Sequence, residues 1–274
     1  MKVQRLIMIR LAARDPQALA EFYVGALGFA PQSLGRETAV VALDERRIEI
    51  ARTAGETYPM GLPPWSPLFQ HVAIATPDLA AALDRLERSQ GWRPISQGGP
   101  QILPASSGGA AAFKFRDPEG HPLELIAFPG SAGVSRARID HSAISVADSA
   151  ASLAFYEGLG LSPGARTLNQ GPEQERLDGL ASAEVEVTAL ELPGGGAHVE
   201  LLCYRGHYPR VTPPAAPDAV AATRLVMTME SPRALDGLEA RLADRVERPG
   251  PPLLLRDPDG HLLQFEPAAI TGRR

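Results

Sequence analysis

His71-Val-Ala-Ile-Ala-Thr-Pro-Asp78 and His141-Ser-Ala-Ile-Ser-Val-Ala-Asp148 are two copies of one pattern. In each, a short strand opens on histidine and ends at an aspartate suited to cap a helix. Looser copies stand at Met8-Ile-Arg-Leu-Ala-Ala-Arg-Asp15 and Arg224-Leu-Val-Met-Thr-Met-Glu-Ser231, with no histidine in the first slot. Each copy is answered later by a strand carrying an acid or amide near its centre: Ile48-Glu49-Ile50, Leu123-Glu124-Leu125, Val199-Glu200-Leu201 and Leu263-Gln264-Phe265. The chain is thus organised as four repeats, and a repeat of this length decides the fold.

Outward from those strands, the repeat unit reads β-α-β-β-β. Asp15 to Tyr23 and Asp148 to Tyr156 begin with a capping residue and continue with Ala and Leu at helical spacing; residues 79–86 and 232–242 do the same. Gly28 and Gly160 follow the first and third helices, where a left-handed residue stops the turn. About three short strands separated by Gly/Pro turns complete each unit. Two units share the hairpin Phe115-Arg-Asp-Pro-Glu-Gly-His121 and Leu255-Arg-Asp-Pro-Asp-Gly-His261, in which Asp, Pro and Gly are turn formers and His121 and His261 stabilise the turn. The expected class is α+β, with four modules in two domains: residues 1–129 (modules one and two) and 139–274 (modules three and four). The aperiodic, small-residue segment 130–138 is the linker.

Composition narrows the function. The chain has 274 residues, enough for a large core, and a net charge of −5 with no basic cluster, which offers a phosphate backbone no footprint; no nucleic-acid partner is expected. Charge interrupts the N-terminus too early for a signal peptide and no run is long enough to span a bilayer, so neither a membrane partner nor export from the cytoplasm is expected. Cys203 is the single cysteine and excludes an internal disulfide; its apolar strand favours an inert buried thiol. Lys2 and Lys114 are the only lysines.

The repeats, the Phe-Tyr and Leu-Gly-Phe of residues 15–29, the His71 and His141 strands, and the Asp-Pro-x-Gly-His hairpins resemble the vicinal oxygen chelate superfamily of glyoxalase I, extradiol dioxygenases, epimerases and resistance proteins. The resemblance spans almost the whole chain. It implies that modules pair into two cupped, incomplete barrels, with metal ligands drawn from the first and last strand of each module. Carried onto this chain, the first-strand positions are Met8, His71, His141 and Arg224, and the last-strand positions Glu49, Glu124, Glu200 and Gln264. Pairing in sequence order leaves both cups incomplete. Pairing the two middle modules places His71, Glu124, His141 and Glu200 together and leaves a degenerate outer cup. Residues 1–70 and 208–260 contain no histidine, which favours the second arrangement.

A lone histidine on an apolar strand is usually a core residue and a lone strand glutamate is usually solvated. Two of each in matching positions form a donor set for one divalent ion, whether Zn, Ni, Co, Mn or Fe. The resemblance then implies a small-molecule substrate bound through vicinal oxygens, an enediolate-type proton transfer, and Glu124 or Glu200 as base. An isomerase or lyase of glyoxalase or epimerase type ranks first. An extradiol dioxygenase, needing two histidines and one carboxylate, ranks second, and a metal-free binding protein third. His198, two residues before Glu200, is a candidate second-sphere donor or proton shuttle, with Tyr204 further along that face. The polar segments 98–104 and 169–178 are read as loops around the cup, with Arg176 able to meet substrate oxygens. Arg224 is read as pairing with Glu49, and the assembly is compatible with a homodimer.

Overall fold

The computed structural model describes residues 2–130, 136–206 and 214–268. Module one consists of β1 (Val3–Ala13), α1 (Pro16–Leu27), β2 (Ala30–Leu34), β3 (Thr38–Leu43) and β4 (Arg46–Arg52). Module two has β5 (Gln70–Ala75), α2 (Leu79–Glu87), the short β6 (Arg93–Pro94) and β7 (Gln101–Ile102), then β8 (Ala111–Arg116) and β9 (Pro122–Ala127). Module three runs through β10 (Arg138–Ser145), α3 (Ser149–Leu159), β11 (Ser162–Gln170), α4 (Pro172–Asp178), β12 (Glu184–Glu191) and β13 (His198–Tyr204). Module four comprises β14 (Arg224–Met229), α5 (Pro232–Arg241), β15 (Val246–Arg248), β16 (Leu253–Arg256) and β17 (Leu262–Pro267). Within the 130–138 segment, residues 131–135 lie outside the described residues and Arg138 already opens β10.

The helix starts follow from their caps. The side chains of Asp15, Asp78, Asp148 and Ser231 each accept a hydrogen bond from a first-turn amide. Gly28 and Gly160 stop α1 and α3 at φ 77 and 98, a backbone region costly for residues with a Cβ.

Two sheets form, and each takes one module from each half of the chain. Modules one and four build an eight-stranded sheet ordered β15-β16-β17-β14-β1-β4-β3-β2. Modules two and three build a nine-stranded sheet whose path is β11-β12-β13-β10-β5-β9-β8-β6, with β7 beside β8. The middle modules join through antiparallel β5 and β10, where His71 faces Ala143 and Ala73 faces His141. Flanking these are the parallel pairs β5/β9 and β10/β13, so the four strands carrying His71, Glu124, His141 and Glu200 are adjacent at the centre of one sheet.

Strand alternation separates the two faces of this sheet. Val72, Ile74, Phe113, Phe115, Leu123, Leu125, Val199 and Leu201 enter one continuous core with the helices and the other sheet. The intervening residues point the other way. The duplicated hairpins tie modules together across the sheets: Tyr23 of α1 donates to Asp117 Oδ2 at 3.1 Å, and Tyr156 of α3 donates to Asp257 Oδ2 at 3.0 Å. Asp117 Oδ1 also accepts from the amides of Glu119, Gly120 and His121, while its Oδ2 lies 2.9 Å from His121 Nδ1. The His261 amide donates to Asp257 Oδ1 and its Nε2 meets the Ser145 carbonyl at 2.9 Å. Both histidines therefore do the structural work expected of them.

Candidate metal centre

The nine-stranded sheet brings the four middle-module residues together in the lining of a cavity of about 250 Å³. His71, Glu124 and His141 are buried, and each offers a ligand atom within 4.8 Å of the others. His71 Nε2 lies 3.1 Å from Glu124 Oε2, and His141 Nε2 lies 3.6 Å from that oxygen and 3.4 Å from Glu200 Oε2. Glu200 stands at the edge of the group, with its other oxygen 3.2 Å from His198 Nε2.

These donors fit a divalent ion. His141 Nε2 is buried without a hydrogen-bond partner although two carboxylates lie near it. Metal bonds of about 2.0–2.2 Å draw such N and O donors around a common centre. The other ring nitrogen of His141, Nδ1, is 3.2 Å from Asp140 Oδ2, the arrangement by which a carboxylate fixes the orientation of a ligating imidazole. Asp140 is in turn held by Arg138 at 2.7 Å.

Electrostatics reflect the crowding of carboxylates. Burial opposes the charged form of Glu124, but the Lys114 ammonium and the adjoining His141 and His71 rings hold its carboxyl well below the ordinary value. Burial likewise opposes an imidazolium at His141; Glu200, with Asp140 and Glu124, overrides it and raises the group to about 10. His71 is lowered by burial and by Lys114. The carboxylates around His141 thus favour a positive charge at this point, which a metal cation also supplies.

Lys114 and Asp178 complete the site and were not anticipated. Lys114 lies opposite Glu124 in the β8/β9 register. Its Nζ donates to Asp178 Oδ1 at 2.7 Å, and Asp178 Oδ2 accepts from Gln174 Nε2 at 2.7 Å and Tyr204 Oη at 2.9 Å. A signal existed: Phe113-Lys114-Phe115 sets one of only two lysines at the polar position of an alternating strand.

Several expectations need correction. Residues 172–178 form a helix, not a loop; Pro172 at its start, Glu173 and Glu175 in the first turn, and left-handed Gly179 after it all favour that. Arg176 does not line the cavity. It donates to Gln101 Oε1 at 2.7 Å and Glu173 Oε1 at 3.2 Å. In the outer sheet Glu49 pairs with Arg10, and Arg224 instead donates to the Pro217 carbonyl at 2.8 Å. Cys203 is half-buried, its thiol 3.8 Å from the Ala147 carbonyl. His198 stands beside His141 and Glu200, and Tyr204 lines the cavity and donates to Asp178. His207 lies outside the described residues. Among the described residues no helix is long and apolar enough to cross a membrane.

This is the fold of the vicinal oxygen chelate superfamily: paired β-α-β-β-β modules with first-strand and last-strand donors converging in a cup. The family described as Glyoxalase/Bleomycin resistance protein/Dioxygenase superfamily matches residues 5–125. Among solved structures the chain is similar to glyoxalase I from Zea mays, with a TM-score of 0.60 and 14% identity over 96% of this chain and 92% of that one. It is also similar to a putative dioxygenase from Bacillus subtilis subsp. subtilis str. 168, with a TM-score of 0.56 and 13% identity over 97% of this chain and 86% of that one. No curated protein matches the chain.

Proposed function

We propose that the protein is a metal-dependent isomerase or lyase that moves a proton on a small substrate bound through two vicinal oxygens. The observation that carries this reading is the convergence of His71, Glu124 and His141 within 4.8 Å, with Glu200 3.4 Å from His141, in the lining of one cavity. A divalent ion would be held there by His71, Glu124 and His141, with Glu200 a fourth donor that substrate displaces, and would supply Lewis acidity that makes a C–H next to the substrate oxygens more acidic.

The two glutamates have different parts. Glu124 lies 3.1 Å from His71 Nε2 and 3.6 Å from His141 Nε2 and sits across from Lys114, which suits a permanent ligand. Glu200 is the more accessible of the two, its side chain 20% exposed against 7%. It lines both the cavity and the groove beside it. Glu200 Oε2 is therefore the base that takes the proton and returns it to the neighbouring carbon, while His198 steadies Oε1. Lys114 adds a positive charge that restrains repulsion among the carboxylates.

A second reading rests on the same compact trio: two histidines and one carboxylate suffice for an extradiol dioxygenase. The experiment begins with metal content per chain after reconstitution with Mn, Fe, Co, Ni or Zn, for the parent and for His71→Ala and His141→Ala. Near-stoichiometric metal in the parent, lost in both variants, is expected. The loaded protein is then tested for oxygen-independent exchange of a substrate C–H with solvent deuterium. Oxygen uptake with catechols and a ferrous centre would instead establish the dioxygenase, and absence of specific metal binding would favour a metabolite-binding protein.

A further inference from the structure

We infer that the substrate carries no carboxylate or phosphate substituent and that most of its body away from the vicinal oxygens is apolar. The inference rests on the cavity proposed above as the substrate site and extends that reading to the class of molecule it takes.

The lining is the first ground. Beside the His and Glu side chains the cavity is lined by Leu103, Ile126, Phe128, Val187 and Leu202, so much of the substrate body meets hydrocarbon.

Charge is the second. The cavity continues past Phe128, Ala165, Ala189 and Glu200 into a groove lined by Asp140, Glu191 and His198. Among the described residues of both spaces, the carboxylates are Glu124, Glu200, Asp140 and Glu191, and the one lysine or arginine is Lys114. Lys114 is already committed to Asp178 at 2.7 Å. A divalent ion balances Glu124 and Glu200, Arg138 holds Asp140, and Glu191 stands where an anionic tail would run. Like charges brought together in this way oppose binding.

The test is calorimetric binding of two probes that share vicinal hydroxyls and differ by one carboxylate, methylcatechol and protocatechuate, to metal-loaded protein under anaerobic conditions. Methylcatechol is expected to bind at least about tenfold more tightly. Glu191→Lys, an exposed change, is expected to narrow that gap by strengthening protocatechuate binding alone. Equal or tighter binding of protocatechuate by the parent, or binding of neither probe, overturns the inference. The comparison is repeated on metal-free protein, where the same preference is expected because the walls are then more negative. A protein that takes up no metal yet prefers methylcatechol would refute the metalloenzyme reading and leave the substrate class standing.

Discussion

Arg10 lies directly opposite Glu49 in the parallel pairing of β1 with β4, the register that Ala73 holds opposite Glu124 in β5 and β9. The outer sheet thus contains its own cation. The Arg10 guanidinium bonds Glu49 and reaches Gln264 Oε1 at 3.4 Å, so two last-strand positions that correspond to Glu124 and Glu200 are held by an arginine. Arg10→Met leaves Glu49 partly buried without its counter-ion. The expected loss is about 1–2 kcal/mol of stability, read as the urea midpoint, with metal content unchanged.

Glu124 and Glu200 should separate under neutralisation. Glu124→Gln is expected to lose stoichiometric metal, because it removes the carboxylate shared by both histidines. Glu200→Gln is expected to retain metal while C–H exchange falls by about 10²–10⁴-fold, the range for losing a general base. Elemental analysis and deuterium incorporation measure the two effects separately; the reverse pattern would exchange the two roles.

Asp140 reaches the centre through His141 Nδ1, at 3.2 Å. Asp140→Asn should therefore weaken metal binding by about 10–100-fold with the fold intact. Competition against a chelator measures the change, and an unaltered affinity would show that His141 is oriented by its packing alone.

Lys114 and Asp178 are both buried, at 4% and 2% exposure. Lys114→Met strands the aspartate and is expected to cost about 3–5 kcal/mol. Lys114→Met with Asp178→Asn should recover part of that loss, because neither partner then leaves an isolated charge. Denaturant unfolding of the two variants gives the comparison.

The duplicated hairpin carries a pH dependence. Burial lowers His121, but the Asp117 carboxylate outweighs it and leaves the imidazole above its ordinary 6.5. A raised folded value stabilises the native state fully below 6.5, and that contribution fades as pH rises through the folded value. The stability gap between parent and His121→Gln should accordingly be largest in mild acid and shrink in alkali. A gap that widens with pH would contradict the assignment.

What the sequence determined by itself is local and periodic. Asp15, Asp78, Asp148 and Ser231 mark helix starts because a capping side chain answers amides only two or three residues ahead. The hairpins were legible because Asp, Pro and Gly act within one turn, and the four donor positions because the repeat places them at corresponding strand sites. The tertiary structure decided which modules share a sheet, since that depends on β5 meeting β10 and β1 meeting β14 across long stretches of chain. It also decided the partners of buried charges. Lys114 meets Asp178 across separate modules, and Arg10 takes Glu49 from Arg224, because strand register and helix placement set which charges come within hydrogen-bonding reach.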